Sequence, residues 1–281
     1  MKKINKEIFK NQRFLFVFDL DGTLLNDNKT INPLTKKILK ELEKYGNVIT
    51  LASGRAKRAV SPYFKELELK GPFICYNGAV VTNPDDNNFK GFRKTLKKEF
   101  IYDFFKKFDE NSFENYMIEN ETFQYYLKEN EKYKFFFAPD GIKHQYGSIF
   151  DNIKEDMLCM VIESKDTSRN KEIADFIEDN FDDIGIRFWE DAPTFGEVFH
   201  YSVNKSTSID IVANNYGIDK QHIVCFGDAM NDIEMIRRAG ISFAMKNGSE
   251  RLKKEATYVT KFTNNEEGIY YALLDLFGIE E

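Results

Sequence analysis

No stretch of this 281-residue chain approaches the ~18–20 consecutive apolar residues needed to cross a bilayer, so no membrane span is expected. The chain has no long basic run either, and 40 basic side chains against 46 acidic ones leave a net charge of −6. That balance offers no electrostatic footprint for nucleic acid. The stretch Met1-Lys2-Lys3-Ile4-Asn5-Lys6 carries three lysines, but no apolar signal-peptide core follows it, and a cytoplasmic location is expected. Three cysteines are too few, and odd in number, for a disulfide framework. Cys75, Cys159 and Cys225 each lie in an apolar run, and no pair has metal-ligand spacing. They read as buried free thiols in a reducing cytosol. His144, His200 and His222 stand in no motif, so structural or solvated roles are expected for them rather than catalysis. No internal repeat or low-complexity tract is present.

The remaining composition, 42% hydrophobic and 31% charged, is that of an ordinary globular protein, and the length suits two domains or one domain with a large insertion. The most informative stretch begins at Phe14. Phe14-Leu15-Phe16-Val17-Phe18 is an apolar run of a length that suits a strand buried on both faces. It stops at Asp19-Leu20-Asp21-Gly22-Thr23-Leu24, where Gly22 supplies the freedom for a sharp turn. Two carboxylates at the end of an interior strand are costly unless a cation or a reaction uses them. The bland alternative is a polar Asp-Gly turn.

Asn32-Pro33 predicts a helix start, with Leu34, Ile38, Leu42 and Tyr45 at helical spacing. Residues 48–52 predict a second buried strand that ends at Ser53-Gly54-Arg55, a helix follows to about Leu69, and residues 73–76 form a third strand before Asn77-Gly78. This β-α-β-α-β order implies a parallel sheet. The loop at 83–88 reads as a boundary. Beyond it 16 of the chain's 42 aromatic residues fall between 100 and 150, in what reads as an α+β insert of roughly 110 residues. The aromatics suit core packing better than a lid over an apolar substrate. The α/β pattern is expected to resume after Pro193 with a strand at 197–202, a helix opened by Asn204-Lys205, a strand at 223–226 and the turn Gly227-Asp228-Ala229-Met230-Asn231-Asp232. The expected architecture is therefore α/β: a doubly wound, Rossmann-like parallel sheet from residues 1–82 and 193–281, with an inserted α+β cap from 83–192.

Four polar clusters now stand at strand ends: Asp19/Asp21, Ser53, Lys205 and Asp228/Asn231/Asp232. Parallel strands end on one edge of a sheet, so the clusters can share a crevice. Carboxylates with a backbone carbonyl suit a hard divalent cation such as Mg²⁺. A serine hydroxyl, a lysine ammonium and turn N–H groups suit a phosphate. Taken singly, Lys205 could be a solvated helix-start lysine, and Asp228 and Asp232 could be helix-entry carboxylates.

The ordered set Asp-x-Asp-Gly-Thr-Leu, Ser-Gly-Arg, Asn-Lys and Gly-Asp-x-x-Asn-Asp closely resembles the haloacid dehalogenase-like phosphohydrolases, and the place of the insert resembles their Cof-type branch. The resemblance implies a Mg²⁺-dependent phosphatase acting on small phosphorylated metabolites such as sugar phosphates or phosphorylated cofactors. It makes Asp19 the nucleophile and Asp21 the general acid/base, whose pKa should then be raised. It makes Ser53, Gly54, Arg55, Lys205 and Asn231 the phosphate or substrate contacts; Arg55, Asn77 and Asn231 could equally be turn residues. It implies metal ligation by Asp19, the Asp21 carbonyl and Asp228, with Asp232 orienting the ligands or binding through water. Lys205 is followed by Ser206 where this branch often has glycine, and Ser53 stands where threonine is commoner; both keep the functional group. The expected partner is a small phosphorylated molecule, with no nucleic acid and no membrane, in a monomer or small homo-oligomer. The rivals are a phosphomutase or phosphotransferase of the same fold, and a non-catalytic metabolite- or protein-binding relative.

Overall fold

A computed structural model describes residues 3–130, 141–190 and 192–279, and the chain divides into two compact units, 1–93 with 204–281 and 94–203. Among the described residues no helix is long and apolar enough to cross a membrane.

The first unit is built on an eight-stranded sheet. Its strands in chain order are β2 (Leu15–Phe18), β3 (Val48–Ala52), β4 (Phe73–Cys75), β5 (Val80–Thr82), β6 (Phe92–Arg93), β13 (Ile223–Gly227), β14 (Ile241–Ala244) and β15 (Tyr258–Val259). The spatial order is β15-β14-β13-β2-β3-β4-β5-β6. All pairs from β15 to β4 are parallel, and β5 and β6 add antiparallel. Successive strands leave β2 in one direction through β3 and β4, then return on its other side through β13. The order reverses between β2 and β13, which is where open α/β sheets hold ligands. A separate two-stranded pair joins β1 (Lys3–Ile4) to β16 (Gly278–Ile279).

Helices cover both faces of this sheet. Leu15, Val17, Ile223 and Cys225 pack with α6 (Lys205–Tyr216), α7 (Ile233–Arg238) and α8 (Glu250–Glu255) through Ile209, Val212, Ile233, Met235 and Leu252. On the other face Phe14 and Phe16 meet Phe277 of α9 (Gly268–Phe277), edge to face at 5.4 and 5.7 Å. Helices α1 (Pro33–Lys44) and α2 (Lys57–Leu67) follow β2 and β3. Pro33 opens α1 as expected, but the orphan amides of its first turn are met by the Glu267 carboxylate, which accepts from Leu34 N at 2.9 Å and Thr35 N at 2.8 Å.

The second unit carries its own sheet, β11-β12-β10-β7-β8-β9. The strands are β7 (Phe113–Glu119), β8 (Phe123–Tyr126), β9 (Lys143–Tyr146), β10 (Cys159–Ser164), β11 (Ile184–Phe188) and β12 (Phe195–His200), antiparallel except for the parallel pair β8/β9. Helices α3 (Lys98–Lys107) and α5 (Asn170–Asn180), with the short α4 (Ile149–Asn152), complete it. Phe100, Phe104, Phe105, Phe108 and Tyr116 are buried with Ile173 and Ile177 in one cluster, so these aromatics are packing residues. Tyr133 and Phe135, Phe136 and Phe137 lie outside the described residues.

Two boundaries differ from the sequence expectation. The loop at 83–88 is not a domain boundary: it connects β5 to β6 inside the first sheet, and the units part at 93/94. The strand expected to resume the α/β pattern after Pro193 instead pairs with β10 and β11 in the second sheet, and the units part again at 203/204. Alternation of side chains makes a segment a strand but does not choose its partner; register and pairing do. Cys75 and Cys225 are buried and form no disulfide among the described residues, while Cys159 is only half-buried.

Candidate functional site

Asp19 leaves the end of β2 with its backbone N–H donating to Phe226 O of β13 at 3.0 Å, which binds the nucleophile candidate's turn to the neighbouring strand. The residue is 6% exposed. Lys205 reaches it from the first position of α6 and donates to Asp19 Oδ1 at 2.5 Å and to Asp232 Oδ1 at 2.6 Å. The lysine side chain is fully buried, which rules out the solvated reading. Its placement is built locally. Asn204 caps α6 by accepting from Thr207 N at 2.9 Å, and Ser208 Oγ donates to Gly78 O at 2.7 Å. Gly78 has φ +111°, and a Cβ there would stand 2.4 Å from Asn204 O, so only glycine lets this turn meet the start of α6.

The turn after β13 is organised by Asp232, which is wholly buried. Its Oδ2 accepts from the N–H groups of Asp228 at 3.0 Å and Ala229 at 3.1 Å, and its Oδ1 accepts from Lys205. Both oxygens are therefore engaged in holding the turn and the ammonium. Asp228 is aimed by Thr23, whose hydroxyl donates to Asp228 Oδ1 at 2.8 Å. Gly22 brings the two strand ends together: its φ is +75°, and a Cβ would lie 2.3 Å from Asp228 Oδ2.

The carboxylates of Asp19, Asp228 and Asp232 offer ligand atoms within 4.8 Å of one another. Burial pushes Asp19 well above the usual carboxylate range, Lys205 opposes this, and Asp232 and Asp228 add to it. Burial and then Asp232 push Asp228 up to about 6, against Thr23 and Lys205. Lys205 itself is held well above its ordinary value: burial works against its charge, but Asp19 and Asp232 outweigh it. Crowded, partly desolvated oxygen donors with too little positive charge between them fit a hard divalent cation. Asp19 and Asp228, with the Asp21 carbonyl on the intervening turn, are the residues that would hold it.

Asp21 departs from expectation. Arg55 grips its carboxylate through two bonds, Nε to Oδ2 and Nη2 to Oδ1, both at 2.6 Å, and Lys29 Nζ adds a third to Oδ1 at 2.7 Å. Burial would raise its pKa, but these hydrogen bonds and charges outweigh burial and hold it below the usual range. The raised pKa expected of a proton donor is thus not what the structure shows, because two cations stabilise the anion. The Asp21 carboxylate also stands apart from the three-carboxylate cluster.

Ser53, at the end of β3, is buried, and its Oγ accepts from Arg55 N at 3.1 Å. Gly54 lies against the Asn77 side chain, and Asn231 Nδ2 donates to Asn77 Oδ1 at 3.1 Å. Asn77 adopts φ +51°, ψ +27°, so a turn residue here also joins the Ser53 and Asn231 turns. All the site residues expected from sequence thus lie in one unit, on adjoining strand ends. Sequence reading missed Thr23 and Lys29. Thr23 was visible inside the Asp-x-Asp-Gly-Thr motif, whereas nothing in the sequence marks Lys29. His200 bonds Thr95 O at 3.0 Å and His222 packs against Phe14, as structural residues do.

Comparison with known proteins gives the family of the chain. The profile of haloacid dehalogenase-like hydrolases matches residues 16–273. Among curated relatives, the 5-amino-6-(5-phospho-D-ribitylamino)uracil phosphatase YitU of Bacillus subtilis is 28% identical, over 95% of this chain and 98% of its own. A putative phosphatase of Mycoplasma genitalium is 27% identical over 92% and 96%. A solved structure from Thermotoga maritima superposes with a TM-score of 0.78 at 26% identity, covering 96% of this chain and 98% of that one. A haloacid dehalogenase-like hydrolase from Bacteroides thetaiotaomicron, 24% identical over 95% and 100%, gives 0.79 and shares the fold. With the match running from the first aspartate strand to the last helix, the chain belongs to the haloacid dehalogenase-like hydrolases, in their Cof-type branch.

Proposed function

We propose that this phosphatase hydrolyses phosphomonoesters of small metabolites, such as sugar phosphates or phosphorylated cofactors, through an aspartyl-phosphate on Asp19 with Mg²⁺ bound. The observation that carries the reading is the buried Lys205 ammonium shared between Asp19 and Asp232, with Asp228 alongside. Buried ion clusters are poor stabilisers compared with apolar packing, so their presence at strand ends points to chemistry. The two Bacillus subtilis relatives named 5-amino-6-(5-phospho-D-ribitylamino)uracil phosphatases support a small phosphorylated substrate.

In this reading an Asp19 oxygen attacks phosphorus, the bond from phosphorus to the ester oxygen breaks, and that oxygen takes a proton from Asp21. Water then attacks phosphorus, Asp21 takes its proton, and phosphate leaves with Asp19 restored. Bound Mg²⁺ supplies positive charge against the phosphoryl oxygens and the anionic nucleophile. The Ser53 hydroxyl, the Gly54 backbone, Asn231 and Lys205 hold the phosphoryl group. Asp21 can donate only when its hold by Arg55 and Lys29 is loosened, so substrate must displace one of them. The second unit is assigned the role of a cap that selects substrate.

The test is phosphate release from a panel of phosphomonoesters, with and without Mg²⁺, by the native chain and Asp19→Asn. Mg²⁺-dependent release that vanishes in the variant supports the reading. Isomerised sugar phosphate without free phosphate would make the chain a mutase, and silence in both assays would leave a binding protein.

A further inference from the structure

One lysine at the site enters the proposed reaction only as one of the two cations that hold Asp21. Lys29 sits on a tight loop that Asn26 organises: Asn26 N donates to Thr30 O, Lys29 N donates to Asn26 O, and Asn26 Oδ1 accepts from Asn28 N and Thr30 N. The loop base is tied to the same unit by Asn264, which donates to Leu25 O at 2.9 Å. Within it Lys29 adopts φ +59°, a left-handed conformation that non-glycine residues rarely take. That conformation aims the ammonium at Asp21 Oδ1. Tyr63 joins both cations around Asp21, donating its hydroxyl to Lys29 O at 3.2 Å while its ring lies 5.6 Å from the Arg55 guanidinium.

Arg55 alone already satisfies both oxygens of Asp21. Lys29 is therefore surplus to holding the carboxylate, and an ion pair whose lysine is 57% exposed adds little stability. What it adds is charge: with Arg55 it sets two cations against the one Asp21 carboxylate, and its side chain is the more exposed of the two. In the phosphatase reading, on which this inference rests, Asp21 faces the leaving oxygen, so the excess charge stands beside the leaving portion of the substrate. We propose that Lys29 is a specificity residue that favours phosphomonoesters whose leaving portion carries its own negative charge, a carboxylate or a second phosphate.

The test uses matched esters: glycerol 3-phosphate against 3-phosphoglycerate for the carboxylate, and fructose 6-phosphate against fructose 1,6-bisphosphate for the second phosphate. Each is measured as kcat/KM with the native chain, Lys29→Gln and Lys29→Arg. The native chain is expected to prefer at least one anionic partner. Lys29→Gln should reduce that preference on the order of three- to tenfold, mainly through KM, as the loss of one partly screened charge implies. Lys29→Arg should keep it, and whichever pair responds identifies the anion. Equal loss on both members of each pair would mean that Lys29 acts only through Asp21, and absence of preference in the native chain would overturn the proposal directly. Release from none of the four esters alongside release from others of the phosphomonoester panel, or release without preference, overturns this inference alone, whereas silence across the whole panel sinks the phosphatase reading and this inference with it.

Discussion

Replacing Lys205 with methionine tests the electrostatic core of the site. Methionine fills much of the volume of the lysine stem but leaves Asp19 and Asp232 buried without their shared cation, which now stands 2.5 and 2.6 Å from their oxygens. Removing one partner of a buried pair costs roughly 3–5 kcal/mol, most of it the penalty of the stranded charge. Protonation relieves that penalty, so the cost must depend on pH. In the variant Asp19, whose pKa burial already holds above its unfolded value, loses the opposing Lys205 charge and is raised further. Its contribution to stability is then fully present below the unfolded pKa and is lost as pH rises through the folded value, by up to about 1.4 kcal/mol per pH unit. The loss relative to the native chain should therefore reach about 3–5 kcal/mol at pH 8 and shrink by roughly 2 kcal/mol or more at pH 5. Urea unfolding of the metal-free chain measures it, followed by far-ultraviolet circular dichroism. The single tryptophan, Trp189, lies in the second unit and would report the wrong part of the molecule. Hydrogen exchange at the β2 amides localises the effect. A penalty below 1 kcal/mol at pH 8, or one equal at both pH values, would refute the argument that Lys205 neutralises buried carboxylates.

Two further outcomes follow from the same geometry. Because Asp228 is raised to about 6 in the metal-free chain, protons should compete with Mg²⁺ there; affinity should fall about tenfold between pH 7 and pH 5, with proton release on binding. Calorimetry in two buffers of different ionisation enthalpy reads both, and an affinity flat across that range contradicts the assignment. Gly22→Ala should cost about 1–3 kcal/mol in stability and lower phosphate release at least tenfold, since the backbone is left-handed there and the new methyl would displace the Asp228 carboxylate. Urea unfolding and a steady-state phosphate assay check it, and near-native values in both would contradict the close approach.

Local chemistry made much of this protein legible before any coordinates. The apolar run at 14–18 and the polar residues ending it placed Asp19 at a strand end, and β3, β13 and β14 were equally plain because buried parallel strands carry continuous apolar side chains. The spacing of Asp19, Ser53, Lys205, Asp228 and Asp232 along the chain, together with the parallel topology, brought their convergence within reach of a sequence reading. Pairing lay beyond it. Whether 195–200 joined the first sheet or the second depended on hydrogen-bond partners far away in the chain, and alternation is the same for either. The ionisation of the site was hidden for a related reason. A motif names Asp21 but cannot say that Lys29 and Arg55, 8 and 34 residues away, will close on it. Residue type sets what a group can do; its charge state is decided by which opposite charges the fold brings within ~3 Å and how much water the fold removes.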